Sequence, residues 1–353
     1  MKALVVDPGK KNSARIIDVP KPKPKPKPEE NETLLKILEV GIDGTDREIN
    51  EGLYGKPPVG SNYLILGHES IGRVEEGNGE FSKDDLVVPT VRRGCEVNCL
   101  NCRSGESDMC LTGTYFEHGI YRLHGFASEY AVSDYDYVVK VPEEIRDVGV
   151  LLEPMSIVEK AVYQSYKIQE RMLWNPERAL VFGAGTIGLL ATALLRLKGL
   201  NVYVISRSEK TSFKARLVEE LGAEYIPSSE MEKVEQGFDL IIEATGSARV
   251  ALKSMDMMNA NSTLCLLGIY REAEVCKDIG KVFTELVLKN RLIFGSVNAN
   301  KKYFEMGISH ILEIKKRNMD DVLKKMITRV KIEDFKKAFE KGGIKTVIEF
   351  GSV

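Results

Sequence analysis

A doubly wound α/β sheet is predicted by three features that follow one another in the middle of the chain. The apolar run Ala179-Leu180-Val181-Phe182 reads as a strand, Gly183-Ala184-Gly185-Thr186-Ile187-Gly188 as a glycine turn, and the uncharged segment beyond it as a helix. A second strand over residues 201–205 follows once that helix closes at Lys198-Gly199. Strand, glycine turn, helix and strand form one βαβ unit, and repeats of that unit build a parallel sheet with helices on both faces.

The glycine turn carries chemistry. Only glycine lets backbone approach a pyrophosphate closely, and the free N–H groups and dipole at a helix start attract its charge, so Gly183, Gly185, Thr186, Ile187 and Gly188 are read as a dinucleotide cradle. The second strand ends in Ser206-Arg207-Ser208, where a chain that binds NAD would carry Asp or Glu. An acid there repels a 2′-phosphate, whereas Arg207 grips it, with Lys210 close by, so NADP is expected ahead of NAD. Thr245-Gly246 and Leu267-Gly268-Ile269 close the fourth and fifth strands, and residues 292–297, with Ser296, form the sixth. The carboxyl ends of such strands face the ligand.

Composition limits the alternatives. The 353 residues, 43% of them hydrophobic, suffice for two medium domains with cores of their own. Fifty basic against 52 acidic residues leave a formal net charge of −2, which gives no electrostatic footprint for nucleic acid or an anionic membrane. The opening run Met1-Lys2-Ala3-Leu4-Val5-Val6-Asp7 is too short for a signal peptide, and a cytoplasmic chain acting on small molecules is expected.

Four of the six cysteines, Cys95, Cys99, Cys102 and Cys110, fall within sixteen residues. In a reducing compartment their thiolates can wrap one tetrahedral Zn²⁺, a closed site that ties down a loop and leaves no position for substrate. Cys265 lies in an apolar strand pattern and reads as a small buried hydrophobe. Any metal chemistry must then use other donors. Candidates are Asp43 beside glycine turns, His68 next to Glu69, and Glu153 ahead of Pro154. Taken singly, His68 reads as a structural histidine and Glu153 as a helix-start carboxylate.

The order Gly67-His68-Glu69, four-cysteine lobe, glycine fingerprint and Phe238-Asp239-Leu240-Ile241-Ile242-Glu243-Ala244-Thr245-Gly246 resembles the medium-chain, zinc-dependent dehydrogenase/reductase family over nearly the whole length. Within it, Gly44-Thr45-Asp46-Arg47-Glu48-Ile49 and Arg92-Arg93-Gly94-Cys95 resemble the archaeal glucose dehydrogenase subfamily. The resemblance implies a GroES-like, mostly β catalytic domain (residues 1–160 and 301–353) with a Rossmann dinucleotide-binding domain (161–300) inserted after it, assembled as a homodimer or homotetramer. It implies a catalytic Zn²⁺ on Asp43, His68 and Glu153, with Glu69 an outer carboxylate or alternate ligand, and Thr45 as the hydroxyl that relays the substrate proton. It also implies sugar contacts from Glu117, Glu153, Thr45 and Asn298, the last touching the nicotinamide as well. The chain departs from most relatives at Asp43, where they carry cysteine, and in a first cysteine gap of three residues instead of two.

The function expected is oxidation of the C1 hydroxyl of an aldose, D-glucose foremost and galactose or xylose next, to the lactone with hydride transfer to NADP⁺. A polyol or secondary-alcohol dehydrogenase of the same family is the second reading, and a non-catalytic nucleotide-sensing zinc protein the third. Elsewhere, residues 21–28 alternate lysine and proline and read as an exposed connector, residues 301–341 read as helices, and residues 345–350 as a final strand.

Overall fold

A computed structural model describes residues 1–24, 32–77, 80–270, 278–340 and 342–350. The chain divides into two compact units, one comprising Met1–Ser156, Asn298–Leu312 and Leu323–Val353, the other Ile157–Val297 and Glu313–Val322.

The first unit is mostly β. Its largest sheet has seven strands, with Glu32–Ile42 near the middle, Glu69–Glu76 on one side of it and the C-terminal strand Lys345–Glu349 on the other, both antiparallel to it. Leu34, Leu35, Ile37, Val40 and Ile42 are buried along the central strand, and the core extends to Leu4, Val74, Phe126, Ile348 and Phe350. The interior residues of that strand alternate little because both of its flanks are paired and covered. Smaller three-stranded sheets are built around Lys2–Val6 and around Phe116–His118.

The second unit carries the predicted doubly wound sheet. Six parallel strands lie in the spatial order Glu224–Pro227, Asn201–Ser206, Arg178–Phe182, Phe238–Glu243, Met258–Leu266 and Leu292–Gly295. In sequence numbering this is order 3-2-1-4-5-6, whose switch point lies beside the first strand, where the glycine turn emerges. Cys265 is fully buried in the fifth strand, as its apolar neighbours predict, and burial pushes its thiol well above the usual range.

Two sequence expectations are corrected. The region 301–341 is not wholly helical: after the helices Lys301–Lys316 and Asp320–Lys325, residues Ile327–Lys331 form a strand parallel to Lys345–Glu349. Flanking lysines disguise a five-residue stretch whose conformation is decided by its sheet partner. The sixth parallel strand stops at Gly295, so Ser296 and Val297 belong to the turn beyond it. Of the lysine–proline stretch, residues 21–24 have no regular structure and 25–28 lie outside the described residues. Lys21 is not merely solvated, since its ammonium sits 3.7 Å from the centre of the Tyr130 ring and 3.4 Å from Glu75.

Candidate active site and metal centres

Asp43 caps the helix Gly44–Asn50. Its carboxylate accepts from the Asp46 backbone N–H at 3.1 Å, and Asp46 returns the favour to the Asp43 N–H at 3.1 Å, a reciprocal capping box. Asp46 is fully buried and its second oxygen accepts from the Gly67 N–H at 3.1 Å, which fixes the residue immediately before His68. His68 Nε2 lies 3.7 Å from Asp43 Oδ2, and Nδ1, buried without a hydrogen bond, lies 3.9 Å from Asp46 Oδ1. Asp43, His68 and Glu69 each offer a donor atom within 4.8 Å of the others, so one cation can reach all three. Glu153, buried in the first turn of Leu152–Gln169, falls outside that sphere but shares its field. Thr45 is half-buried in the same turn as Asp46, and its hydroxyl has no hydrogen bond among the described residues.

The charges here are mutually dependent. Burial opposes a charged His68, yet Asp43 and Asp46 beside it hold its pKa well above the usual range. Burial likewise pushes Asp46 up to about 7 and Glu153 up to about 8, the latter helped by Glu69 and Asp43. Asp43 stays far below the carboxylate range because the positive charge of His68, 3.7 Å away, outweighs its burial. Without a cation, protons on His68, Asp46 and Glu153 offset part of the cluster's negative charge while Asp43 stays ionised. A divalent ion must displace them, so its affinity rises with pH.

Glu69 is held from elsewhere. Lys345 Nζ reaches its two carboxylate oxygens at 2.7 and 2.5 Å, and both side chains are buried. Register explains the meeting: Glu69 is opposite Gly41 on one side of the central strand, and Thr346 is opposite Ile42 on the other. The bridge passes over Gly41, where a Cβ would come within 2.2 Å of Glu69 Oε2. Neither Lys345 nor Asp46 was singled out in the sequence. The Asp43-x-x-Asp46 spacing is a legible capping signal, but nothing local marks Lys345.

The four cysteines converge as one lobe, every sulfur within 4.8 Å of the others. Cys102 Sγ accepts from the Cys95 N–H, and Cys95 Sγ from the Cys99 N–H at 3.3 Å. Hydrogen bonds from Thr112 and the Cys99 backbone lower the Cys95 thiol to about 6, while burial raises Cys102 to about 12. Four sulfurs able to share a cation, with backbone donors aimed at them, suit a closed zinc site despite the longer first gap.

Glu117 and Asn298, far apart in sequence, also meet. Glu117 is buried and its Oε1 accepts from Asn298 Nδ2 at 3.1 Å and from Arg92 Nε and Nη2 at 3.0 and 2.9 Å. Asn298 takes the left-handed conformation, φ +56°, which suits asparagine ending a turn. In the sequence Arg92 stands only within the Arg92-Arg93-Gly94-Cys95 run and carries no role of its own, because a buried arginine in a two-residue strand gives no periodic signal.

At the nucleotide end of the parallel sheet, the three glycines serve separate ends. Gly183 has φ +104°, a Cβ on Gly185 would meet nothing within 4 Å, and one on Gly188 would strike the Gly183 carbonyl at 1.8 Å. The first makes the turn, the second leaves the approach open, and the third packs the helix against the strand. No side chain caps the helix Thr186–Leu197, and its first turn carries no acid. Arg207 and Lys210 are exposed, with Ser206 and Ser208 half-buried beside them, and Arg207 has no ion pair among the described residues. Glu243 Oε1 accepts from the Thr245 N–H at 2.8 Å, and its other oxygen from the Tyr270 hydroxyl, which joins the turns at 245–246 and 267–269. A Cβ on Gly268 would come within 2.4 Å of the Gly246 backbone, so these turns touch. Ser296 Oγ is buried without a partner. This donor set fits a dinucleotide.

Comparison with known proteins agrees with this geometry. Residues 146–350 match the family model described as glucose dehydrogenase C-terminus, and residues 29–143 match the alcohol dehydrogenase GroES-like domain. Glucose 1-dehydrogenase of Methanocella arvoryzae is 42% identical over 366 aligned positions, covering 100% of both chains, and glucose 1-dehydrogenase 1 of Caldivirga maquilingensis is 45% identical over 99% of each. Haloferax mediterranei glucose dehydrogenase, solved in complex with NADP, Zn and gluconolactone, superposes with a TM-score of 0.91 at 35% identity over 100% of both chains. The chain therefore belongs to the glucose dehydrogenase branch of the zinc-dependent, medium-chain alcohol dehydrogenases, with a GroES-like domain and a Rossmann domain. No helix among the described residues is long and apolar enough to cross a membrane.

Proposed function

We propose that this chain oxidises the C1 hydroxyl of an aldose, D-glucose first, to the aldonolactone, using zinc and preferring NADP⁺ to NAD⁺. The observation that carries the reading is the convergence of Asp43, His68 and Glu69 within reach of one cation, in a chain more than 40% identical to glucose 1-dehydrogenases. Residues 1–160 and 301–353 serve as the catalytic domain, and 161–300 as the nucleotide domain. Asp43, His68 and Glu153 would hold the ion, with Glu69, already paired to Lys345, as an outer carboxylate or alternate ligand. Bound there, zinc supplies Lewis-acid polarisation of the substrate hydroxyl, and the nicotinamide supplies the hydride acceptor.

The remaining work belongs to side chains. The Thr45 hydroxyl, without a competing partner among the described residues, would relay the proton leaving the C1 hydroxyl, accepting it while passing its own on toward solvent. Glu117 presents Oε2 to the sugar, since Oε1 is already engaged by three donor atoms, and Asn298 contributes its amide. Gly183, Gly185, Thr186, Ile187 and Gly188 cradle the pyrophosphate. Ser206, Arg207, Ser208 and Lys210 take the 2′-phosphate, and Thr245, Gly246, Leu267, Gly268, Ile269, Ser296 and Asn298 line the nicotinamide side. The closed lobe of Cys95, Cys99, Cys102 and Cys110 holds a structural zinc.

A zinc-replete assay crossing glucose, galactose, xylose, sorbitol and simple alcohols with both nucleotides tests the activity. Reduction of NADP⁺ with aldoses supports it, and turnover confined to sorbitol or alcohols replaces it with the polyol dehydrogenase reading. Chelation should abolish turnover and added Zn²⁺ restore it, while full activity after metal removal overturns the zinc assignment. Arg207→Asp should weaken NADP⁺ binding about tenfold or more by deleting a charge-assisted contact, and shift preference to NAD⁺. An unchanged NADP⁺ dissociation constant rejects that role.

A homo-oligomer is part of the proposal. The sixth strand, Leu292–Gly295, lies at the end of its sheet, and Ile279, Phe283 and Val287 recur every four residues along Ile279–Leu288 with 48, 59 and 75% of their surfaces exposed. A strand that ends its sheet and an apolar stripe left exposed among the described residues each favour association. Four reduced thiols able to bind zinc accord with action in the cytoplasm.

A further inference from the structure

We infer that Arg92 is a positioning residue that ties the four-cysteine lobe to Glu117 and so sets affinity for the sugar. This rests on the reading of Glu117 as a sugar contact. Arg92 lies in the short strand paired with Phe116–His118, directly opposite Glu117. Its side chain is buried, and its guanidinium lies over Tyr115, 3.7 Å from the ring centre. Nε and Nη2 both donate to Glu117 Oε1, and the third arm, Nη1, donates to the Asp108 carbonyl at 3.1 Å. Asp108 lies in the short turn Ser107–Met109, immediately before Cys110.

The lobe also grips this strand from behind. Ser107 Oγ donates to the Arg92 carbonyl at 3.4 Å, and Asn300, two residues after Asn298, donates to Glu106 at 2.8 Å and to Asp108 at 3.0 Å. Residues 106–108 of the lobe therefore anchor both groups that donate to Glu117: Arg92 directly and Asn298 through Asn300. Three donor atoms on one oxygen fix the plane of the carboxylate. The other oxygen accepts no hydrogen bond among the described residues and is left to accept from a ligand's hydroxyls. Lysine cannot replace this arrangement, because a single ammonium lacks the rigid fork that spans Glu117 and the Asp108 carbonyl while stacking on Tyr115.

Arg92→Lys tests the inference in the zinc-loaded enzyme. The aldose KM should rise about tenfold or more, kcat should stay within about threefold, and the NADP⁺ KM should not move. Because Arg92 acts through Glu117, the double variant Arg92→Lys/Glu117→Gln should bind sugar no worse than Glu117→Gln alone. An unmoved sugar KM in Arg92→Lys beside a raised one in Glu117→Gln overturns the inference and leaves the sugar contact standing. So do penalties that multiply in the double variant, or a loss shared equally by the NADP⁺ KM. If Glu117→Gln itself leaves the sugar KM unmoved, the contact reading fails and the inference falls with it. Should Arg92→Lys not fold, Arg92→Gln, which keeps one donor for Oε1, is measured in the same way with the same outcomes deciding.

Discussion

His68→Ala lowers kcat by on the order of a thousandfold or more and leaves NADP⁺ affinity within about twofold. The imidazole is the only nitrogen donor among the three groups that one cation can reach, and it is placed by neighbours that the substitution leaves intact. Asp46 pins the Gly67 backbone and is itself locked to Asp43, so the alanine variant keeps its backbone and loses the donor. The glycines proposed to cradle the nucleotide lie in the other compact unit, which is why coenzyme affinity serves as the internal control. Zinc content, turnover and the NADP⁺ dissociation constant are measured on the same preparation. Near-native turnover would remove His68 from the site, whereas equal loss of coenzyme affinity would mean the variant is damaged globally.

Lys345→Met destabilises the protein by about 3–5 kcal/mol, the usual cost of removing one partner from a buried ion pair. Glu69 and Lys345 are both almost wholly shielded from water, and each carboxylate oxygen faces the ammonium. Losing Lys345 strands a carboxylate next to Asp43 and Glu153, in a region already rich in negative charge. The double variant Lys345→Met/Glu69→Gln recovers much of the loss, because the stranded charge goes with its partner. Denaturant midpoints of the wild type and the two variants provide the measurement. A single variant as stable as the wild type would show that the pair is not buried in solution.

Much of the site was legible because its signals are local. Gly183, Gly185 and Gly188 announce themselves by spacing between a strand and a helix, and their three separate steric duties in the structure match that pattern. The four cysteines are close enough in sequence that a short loop must bring them together. Asp43 precedes a helix start, and the following Asp46 completes a box that spacing alone could reveal. What escaped was long-range or without period. Arg92 acts across a strand pair two residues long, Lys345 reaches Glu69 across a third strand, and the strand Ile327–Lys331 lies in a stretch that reads as helix. Each depends on register, which is set by partners distant in the chain.

The amino-acid order alone marked a glycine turn suited to a dinucleotide, a thiolate lobe able to take a cation, and Asp43, His68 and Glu69 as candidate donors. These are properties of neighbouring residues, whose geometry follows from backbone conformation and spacing. Only the tertiary structure decided that Glu69 is held by Lys345, that Glu117 is oriented by Arg92 and Asn298, and that a side chain at Gly41 would collide with Glu69. Those outcomes require segments separated by up to 276 residues to be brought to hydrogen-bonding distance inside a dry core. There a charge is tolerated only beside its counterpart, and sheet pairing selects which counterpart arrives.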